Sequence, residues 1–144
     1  MALIPPAAVN LPRAAQAILI GDFLADPALI SAMIESVSAR GARGHLVMIA
    51  DPVEETFPFS GNTEFVDVDS PARLRAGQAE TFRQEYIRRL GLHREVIGAA
   101  ARSRGWTLTV HRTDRPATGA LLALRVQLDA NAGPAPHAPR GAAR

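Results

Sequence analysis

Acidic side chains follow three apolar stretches of this sequence, at the points where the stretches end. In order along the chain, Asp22 follows residues 16–21, Asp51 follows residues 45–50, and Thr113 with Asp114 follows residues 106–112. Carboxylate oxygens are ligands that Mg²⁺ prefers in proteins. The same side chains also cap turns and helices. Their chemistry therefore depends on whether the fold brings them to one edge.

The apolar pattern predicts strands at each of these three places. Residues 16–21 and 45–50 are continuous apolar runs, and the first is expected to be a strand buried on both faces. Residues 106–112 alternate and open with Trp106, which is expected in the core. Turn signals also predict a short antiparallel excursion of residues 63–68 against residues 73–76.

Helical spacing predicts three helices between and after these strands. The first starts at the Asp26-Pro27 signal and ends near Arg40-Gly41. The second covers about residues 78–104, and the third about residues 117–128. Gly91 and Gly98 are expected to weaken the second helix and to bend or break it.

Strands that alternate with helices predict an α/β fold with three layers and a mostly parallel, doubly wound sheet. Parallel strands would place Asp22, Asp51 and Asp114 at the carboxyl edge, where open α/β sheets bind ligands. The predicted organisation is an irregular lead-in (1–14), one α/β domain (15–128) and a disordered tail (129–144).

Composition excludes several classes of function. All 16 positive side chains are arginines, interspersed with 14 acids for a net charge of +2, so no basic face for nucleic acid is expected. The absence of cysteine excludes disulfides and thiol nucleophiles. No apolar run is long enough for a membrane helix, so this chain is expected to lack a membrane segment and to be cytoplasmic. No phosphate-binding glycine motif or nucleophile elbow occurs.

Four segments together resemble a known family: "ILIGDF", "GHLVMIADPVEETFPFSG", "FRQEYIRRL" and "GWTLTVHRTDRPATGALLAL". They are similar to the carboxyl-terminal half of the bacterial domain-of-unknown-function family fifty-eight, which is related to von Willebrand factor A domains. The similarity covers roughly Leu11 to Leu128. It implies a metal-ion-dependent adhesion site built from a D-x-S-x-S loop, a threonine and an aspartate. Asp22 matches that aspartate, but Gly21 replaces the usual preceding serine and the D-x-S-x-S loop is missing.

The resemblance implies a truncated, non-catalytic protein-interaction domain. The implied partner is a MoxR-type AAA+ ATPase or another von Willebrand A-type protein, and the implied process is complex assembly or maturation. It leaves open a membrane anchor in intact family members. Asp22 is the one candidate metal ligand, with Asp51, Thr113 and Asp114 as possible contacts. No cofactor is expected in this chain, and weak Mg²⁺ binding is expected in the intact domain only.

Other interpretations of the same residues stay open. The chain could be a small metal-assisted hydrolase or nucleotide-binding enzyme that uses the edge acids, or a fragment without a function. Each acid also has a structural interpretation: Asp22 caps a turn, Asp51-Pro52 starts a turn, and Thr113-Asp114 caps the last helix. If the first strand lacks its neighbour, its unpaired edge should let two copies associate through residues 16–21.

Overall fold

The computed structural model describes residues 12, 15–61, 63–66, 73–76 and 79–131 of the chain. Their elements follow in the order β1 (Gln16–Gly21), α1 (Pro27–Ser38), β2 (Arg43–Ala50), α2 (Pro52–Thr56), β3 (Thr63–Val66), β4 (Arg73–Ala76), α3 (Ala79–Ser103), β5 (Thr107–Arg112) and α4 (Ala117–Asn131). No helix in these described ranges is both long and apolar enough to cross a membrane.

A three-stranded parallel sheet in the order β1-β2-β5 forms the centre of the fold. β2 lies in the middle, and all but two of its residues are buried. This confirms the predicted α/β class. The antiparallel excursion is confirmed where it is described, since β3 pairs with β4. The last two residues of the predicted excursion strand, 67 and 68, lie outside the described residues.

Helices cover the two faces of the sheet unequally. On one face, α1 and α3 pack against the sheet and bury a continuous core that includes Ile34, Leu46, Met48 and Ile97. On the other face, α4 reaches β5 through Gln127 and reaches the start of β1 near Leu128. In the part of the chain that the structure describes, the arrangement therefore has three layers, with one helix, α4, over the second face.

The expectation that the first strand is buried on both faces is wrong. β1 is an edge strand of the sheet, and Ile18 and Ile20, which point away from α1 and α3, are 42% and 59% exposed. Ala17 and Leu19, on the opposite face of the strand, pack against the core. An apolar run shows that a strand can be buried, but it does not show that a helix will cover both of its faces.

Local signals set most helix ends as predicted. α1 starts where Asp26 Oδ1 accepts a hydrogen bond from Ala28 N at 2.8 Å, with Pro27 in the first helical position. After α1 the chain turns through Gly41 at φ +80°, a conformation that favours glycine. α4 continues three residues past the predicted end at Leu128, because Arg43 hydrogen-bonds Asn131 in its last turn.

The prediction that α3 could break at its glycines is wrong. α3 runs for 25 residues without interruption. Ile97 and Ala101 are fully buried in the core on either side of Gly98. The tertiary packing of this stretch outweighs the low helix propensity of glycine.

A buried polar network joins α4 to the sheet. The side chain of His45 is 1% exposed, with Nδ1 2.8 Å from Thr107 Oγ1 and Nε2 3.1 Å from Gln16 Oε1. Thr107 Oγ1 lies 3.0 Å from Gln127 Oε1 of α4, and Gln16 Nε2 donates to the carbonyl oxygen of Leu128 at 3.1 Å. All three strands therefore contribute to the attachment of α4.

This network makes stability depend on pH. Burial lowers the pKa of His45 below its ordinary 6.5, because the charged imidazolium loses its hydration. Protonation therefore favours the unfolded chain, so stability is full above about pH 6.5 and falls as the pH drops through that value. In urea unfolding at pH 7.5 and 5.5, the free energy of unfolding should fall at the lower pH, and His45→Gln should remove most of that fall.

Thr107→Val provides the control for this measurement. It breaks the same network but keeps the imidazole, so it should lower stability at both pH values and retain a dependence on pH. Equal pH dependence in the natural chain and in His45→Gln would contradict the role given to His45.

Candidate functional site

The carboxyl edge of the sheet carries all of the residues picked out as candidates. The strands are parallel, and Gly21 lies opposite Met48 while Ala50 lies opposite Arg112. Asp51 and Thr113 therefore continue neighbouring strands at the same level. Asp22 is level with Ile49, two residues before Asp51, which corresponds to about 6–7 Å along the strand direction. The candidates share one edge but do not form one cluster.

Asp22 stabilises the turn that follows β1. Its side chain is exposed, and Oδ1 accepts a hydrogen bond from Leu24 N at 3.1 Å. Phe23, between them, takes a left-handed conformation with φ +52°. Its carbonyl oxygen lies 2.7 Å from His93 Nε2 of α3, which fixes the turn against the long helix. The contacts of Asp22 are those of the turn-capping interpretation.

Asp51 caps a helix and does not simply start a turn. Its Oδ1 accepts a hydrogen bond from Val53 N at 2.7 Å, and Pro52 occupies the first position of α2. The turn predicted for Asp51-Pro52 is thus a short helix, built on the same Asp-Pro signal that starts α1. Phe57 ends α2 in a left-handed conformation, with φ +44°.

Asp114 pairs with an arginine of the strand that precedes it. Its two carboxylate oxygens accept hydrogen bonds from Arg112 at 3.1 and 2.8 Å. These bonds hold the pKa of Asp114 below its ordinary value and raise that of Arg112. The prediction that Thr113-Asp114 caps the last helix is therefore wrong for Asp114. Thr113 joins the sheet, since its N donates to Ala50 O at 3.0 Å.

An ion-pair network that the sequence did not reveal connects three elements at this edge. Glu55 of α2 contacts Arg94 of α3 at 2.6 Å and Arg112 of β5 at 3.3 Å. The side chains of Glu55 and Arg94 are only 19% and 23% exposed. Arg112 in turn pairs with Asp114. The network therefore neutralises much of the negative charge at the edge and connects α2 to α3 and β5.

An aromatic cluster holds the segment that follows α2. The rings of Phe57 and Phe59 meet edge to face at 5.1 Å, and Tyr86 of α3 lies 4.8 Å from Phe57. Burial and the charge of Glu54 raise the pKa of Tyr86. Arg83 donates hydrogen bonds to the carbonyl oxygens of Phe57 and Phe59 at 2.9 and 3.3 Å. α3 thus fixes the chain where it leaves the edge of the sheet.

These residues do not fit a Mg²⁺ site. Mg²⁺ demands about six oxygen ligands in near-octahedral geometry. Among the described residues, no group of three or more acidic, histidine or cysteine side chains could hold a metal ion. Asp22 and Asp51 each direct an oxygen to a backbone amide, and Asp114 is paired with arginine. The edge is therefore organised by caps and ion pairs.

A protein-family model matches this chain. The model described as "Protein of unknown function DUF58" matches residues 7–96, which is more than half of the 144-residue chain. The match includes β1 and β2, with Asp22 and Asp51, and most of α3. No curated protein and no solved structure matches the chain.

Removing the charge of Glu55 should destabilise the fold. Glu55→Gln leaves the largely buried guanidinium of Arg94 without its carboxylate partner. Loss of one partner from a fully buried pair costs about 3–5 kcal/mol, and for this partly exposed pair we expect about 1–2 kcal/mol in urea unfolding at pH 7.

Glu85→Gln is the matched control for that substitution. Glu85 also contacts two arginines, Arg88 and Arg89, and their hydrogen bonds lower its pKa to about 2. Its pairs lie on the exposed side of α3, where solvent screens them, so the loss should be clearly smaller. Equal losses in the two variants would contradict the role of Glu55.

Proposed function

Because this chain belongs to the DUF58 family of proteins of unknown function, we propose from its surface that it is a non-catalytic protein-interaction domain. The observation that carries the proposal is the outer side of α4. Leu122 and Val126 are 63% and 68% exposed there. Grouped exposed apolar side chains of this kind mark protein-interaction surfaces.

The outer side of α4 has the pattern that binds an apolar groove. Leu122 and Val126 are four residues apart and therefore adjacent on the helix surface. Arg125 and Asp129, also four apart, form an ion pair at 2.9 Å beside them. An apolar strip flanked by charges is how a helix docks into a hydrophobic groove of a partner. The partner is therefore a protein that presents such a groove.

The contacts at the carboxyl edge of the sheet support a role without catalysis. The exposed acids Asp22 and Asp51 cap the backbone that follows them. Asp114 and Glu55 are paired with arginines. A general base or a metal ligand needs a carboxylate that is available to the reacting group. The interactions of these four side chains are instead those of a structural edge.

The partner class comes from the resemblance to von Willebrand A-related proteins. Proteins of this kind are encoded beside MoxR-type AAA+ ATPases, and we take such an ATPase as the partner, with assembly or maturation of a protein complex as the process. Another von Willebrand A-type protein is the second candidate of the same class. In either case the domain would act as an adaptor that presents the outer side of α4.

Calorimetric titration with a MoxR-type AAA+ ATPase from the same organism tests the proposal. We expect saturable binding by the full chain, and a loss of at least about tenfold in affinity for the double variant Leu122→Glu/Val126→Glu, which places charge in the apolar contact. Circular dichroism verifies that the variant is folded. Leu29→Glu, at a residue that is 54% exposed on α1, should bind like the natural chain.

Two results would contradict this function. One is the absence of binding by the natural chain to the ATPase. The other is binding by the double variant with unchanged affinity, which would show that α4 is not the surface used.

A further inference from the structure

Within the described residues, β1 presents an edge without the charges and prolines that protect a strand from pairing. Among the described residues, no strand pairs with its outer side. Its sequence QAILIG contains no charged residue and no proline. Natural proteins protect edge strands with charges, prolines or bulges, because the unpaired amide and carbonyl groups there are a template for another strand.

The other edge of the sheet differs in chemistry. β5 has the sequence TLTVHR, which places two threonines, a histidine and an arginine along its length. Arg112 forms ion pairs with Asp114 and Glu55 at its end. A polar and charged edge resists the approach of a second strand. The contrast points to β1 as the edge suited to pairing.

An uncovered apolar surface lies beside β1 on the α4 side of the sheet. Ile18 and Ile20 are 42% and 59% exposed there. Gln127 on one flank of α4 contacts β5, so the opposite flank, with Leu121 and Leu128, faces β1. Leu128 O binds Gln16 at the start of β1. Leu121 lies two turns away, about 10 Å along the helix, and so reaches the level of Ile18 and Ile20.

We infer that two copies of this chain associate by antiparallel pairing of β1 with β1, which joins their sheets into one six-stranded sheet. This interface goes beyond the partner surface on α4 and does not depend on it. A two-fold axis perpendicular to the sheet passes midway between the two Leu19 residues, so that Leu19 lies opposite its own counterpart. Ile18 then lies opposite Ile20 of the other copy, on the face that is uncovered in a single chain.

The pairing is self-complementary in shape and charge. Opposed Ile18 and Ile20 would remove apolar surface from water in each copy. Asp22, just beyond the strand, lies at the level of the neutral Gln16 of the other copy, so no like charges oppose each other. A foreign strand would have to match this pattern by chance, whereas a second copy always carries it.

The expected interface is small. Stable interfaces bury about 1,200–2,000 Å² in total, and a six-residue strand pair with a narrow apolar flank lies at the low end of this range. We therefore expect a reversible dimer with a Kd on the order of micromolar.

Sedimentation velocity of the full chain over a range of concentrations tests this pairing. The mass should rise from 15.3 kDa toward twice that value. The double variant Ile18→Lys/Ile20→Lys opposes like charges across the pair and should stay monomeric throughout. Leu122→Lys/Val126→Lys adds the same charge on the outer side of α4 and should dimerise like the natural chain. A natural chain that stays monomeric, or a dimer that survives the β1 variant, would overturn the inference.

A cross-link tests the register independently. The chain has no cysteine, so a disulfide in a single-cysteine variant must join two copies. Leu19→Cys places the thiols opposite each other within disulfide range and should cross-link under mild oxidation, whereas Leu29→Cys on α1 should not. Equal cross-linking of the two variants would contradict the register. A monomeric chain that still binds the ATPase would overturn this inference alone and leave the proposed function intact.

Discussion

The side chain of Trp106 occupies the space that a side chain at position 44 would need. A Cβ added to Gly44 would overlap atoms Cε3, Cδ2 and Cζ3 of the indole ring. Trp106 precedes β5 and Gly44 lies in β2, so this contact joins the two strands on the face that α1 and α3 cover. Trp106 is 2% exposed and belongs to the main core. The approach of the ring to the bare backbone sets how closely β5, α3 and β2 pack.

The other layers follow from this contact. Trp106 N donates to Ala101 O at 2.9 Å, so the indole is positioned by the end of α3 directly before β5 begins. With β5 against one side of β2, β1 occupies the other side and becomes the edge. α4, which follows β5, lies over the second face of the sheet and is joined to it by the His45 network. Within the described part of the chain, the Ile18 and Ile20 side of β1 therefore stays exposed, and the inferred pairing of two copies depends on this unequal coverage.

The sequence predicted the class and order of elements because their signals are local. The apolar runs form strands and the Asp26-Pro27 signal starts α1, as predicted. The same signal at Asp51-Pro52 starts α2, so the residues there already favour a helix over the predicted turn. β2 begins two residues before its predicted start. The sequence pattern does not indicate a strand at Gly44, because glycine has a low strand propensity, but packing against Trp106 requires a glycine there.

The candidate site was predictable in position but not in chemistry. Parallel strands were enough to place Asp22, Asp51 and Asp114 at one edge. The ion pairs of Glu55 could not be foreseen, because Arg94 and Arg112 are far from it in sequence and adjacent only in the fold. The exposure of Ile18 and Ile20 was also hidden, since it depends on where α4 lies.

The most direct test of this account compares two glycine substitutions by urea unfolding. Gly44→Ala forces a methyl group into the indole ring and should lower the free energy of unfolding by about 1–3 kcal/mol or more. Gly91→Ala lies in α3 with no atom within 4 Å of the added Cβ, and should raise it by up to about 1 kcal/mol. If Gly44→Ala is as stable as the natural chain, Trp106 does not pack on Gly44 and the proposed order of the layers is wrong.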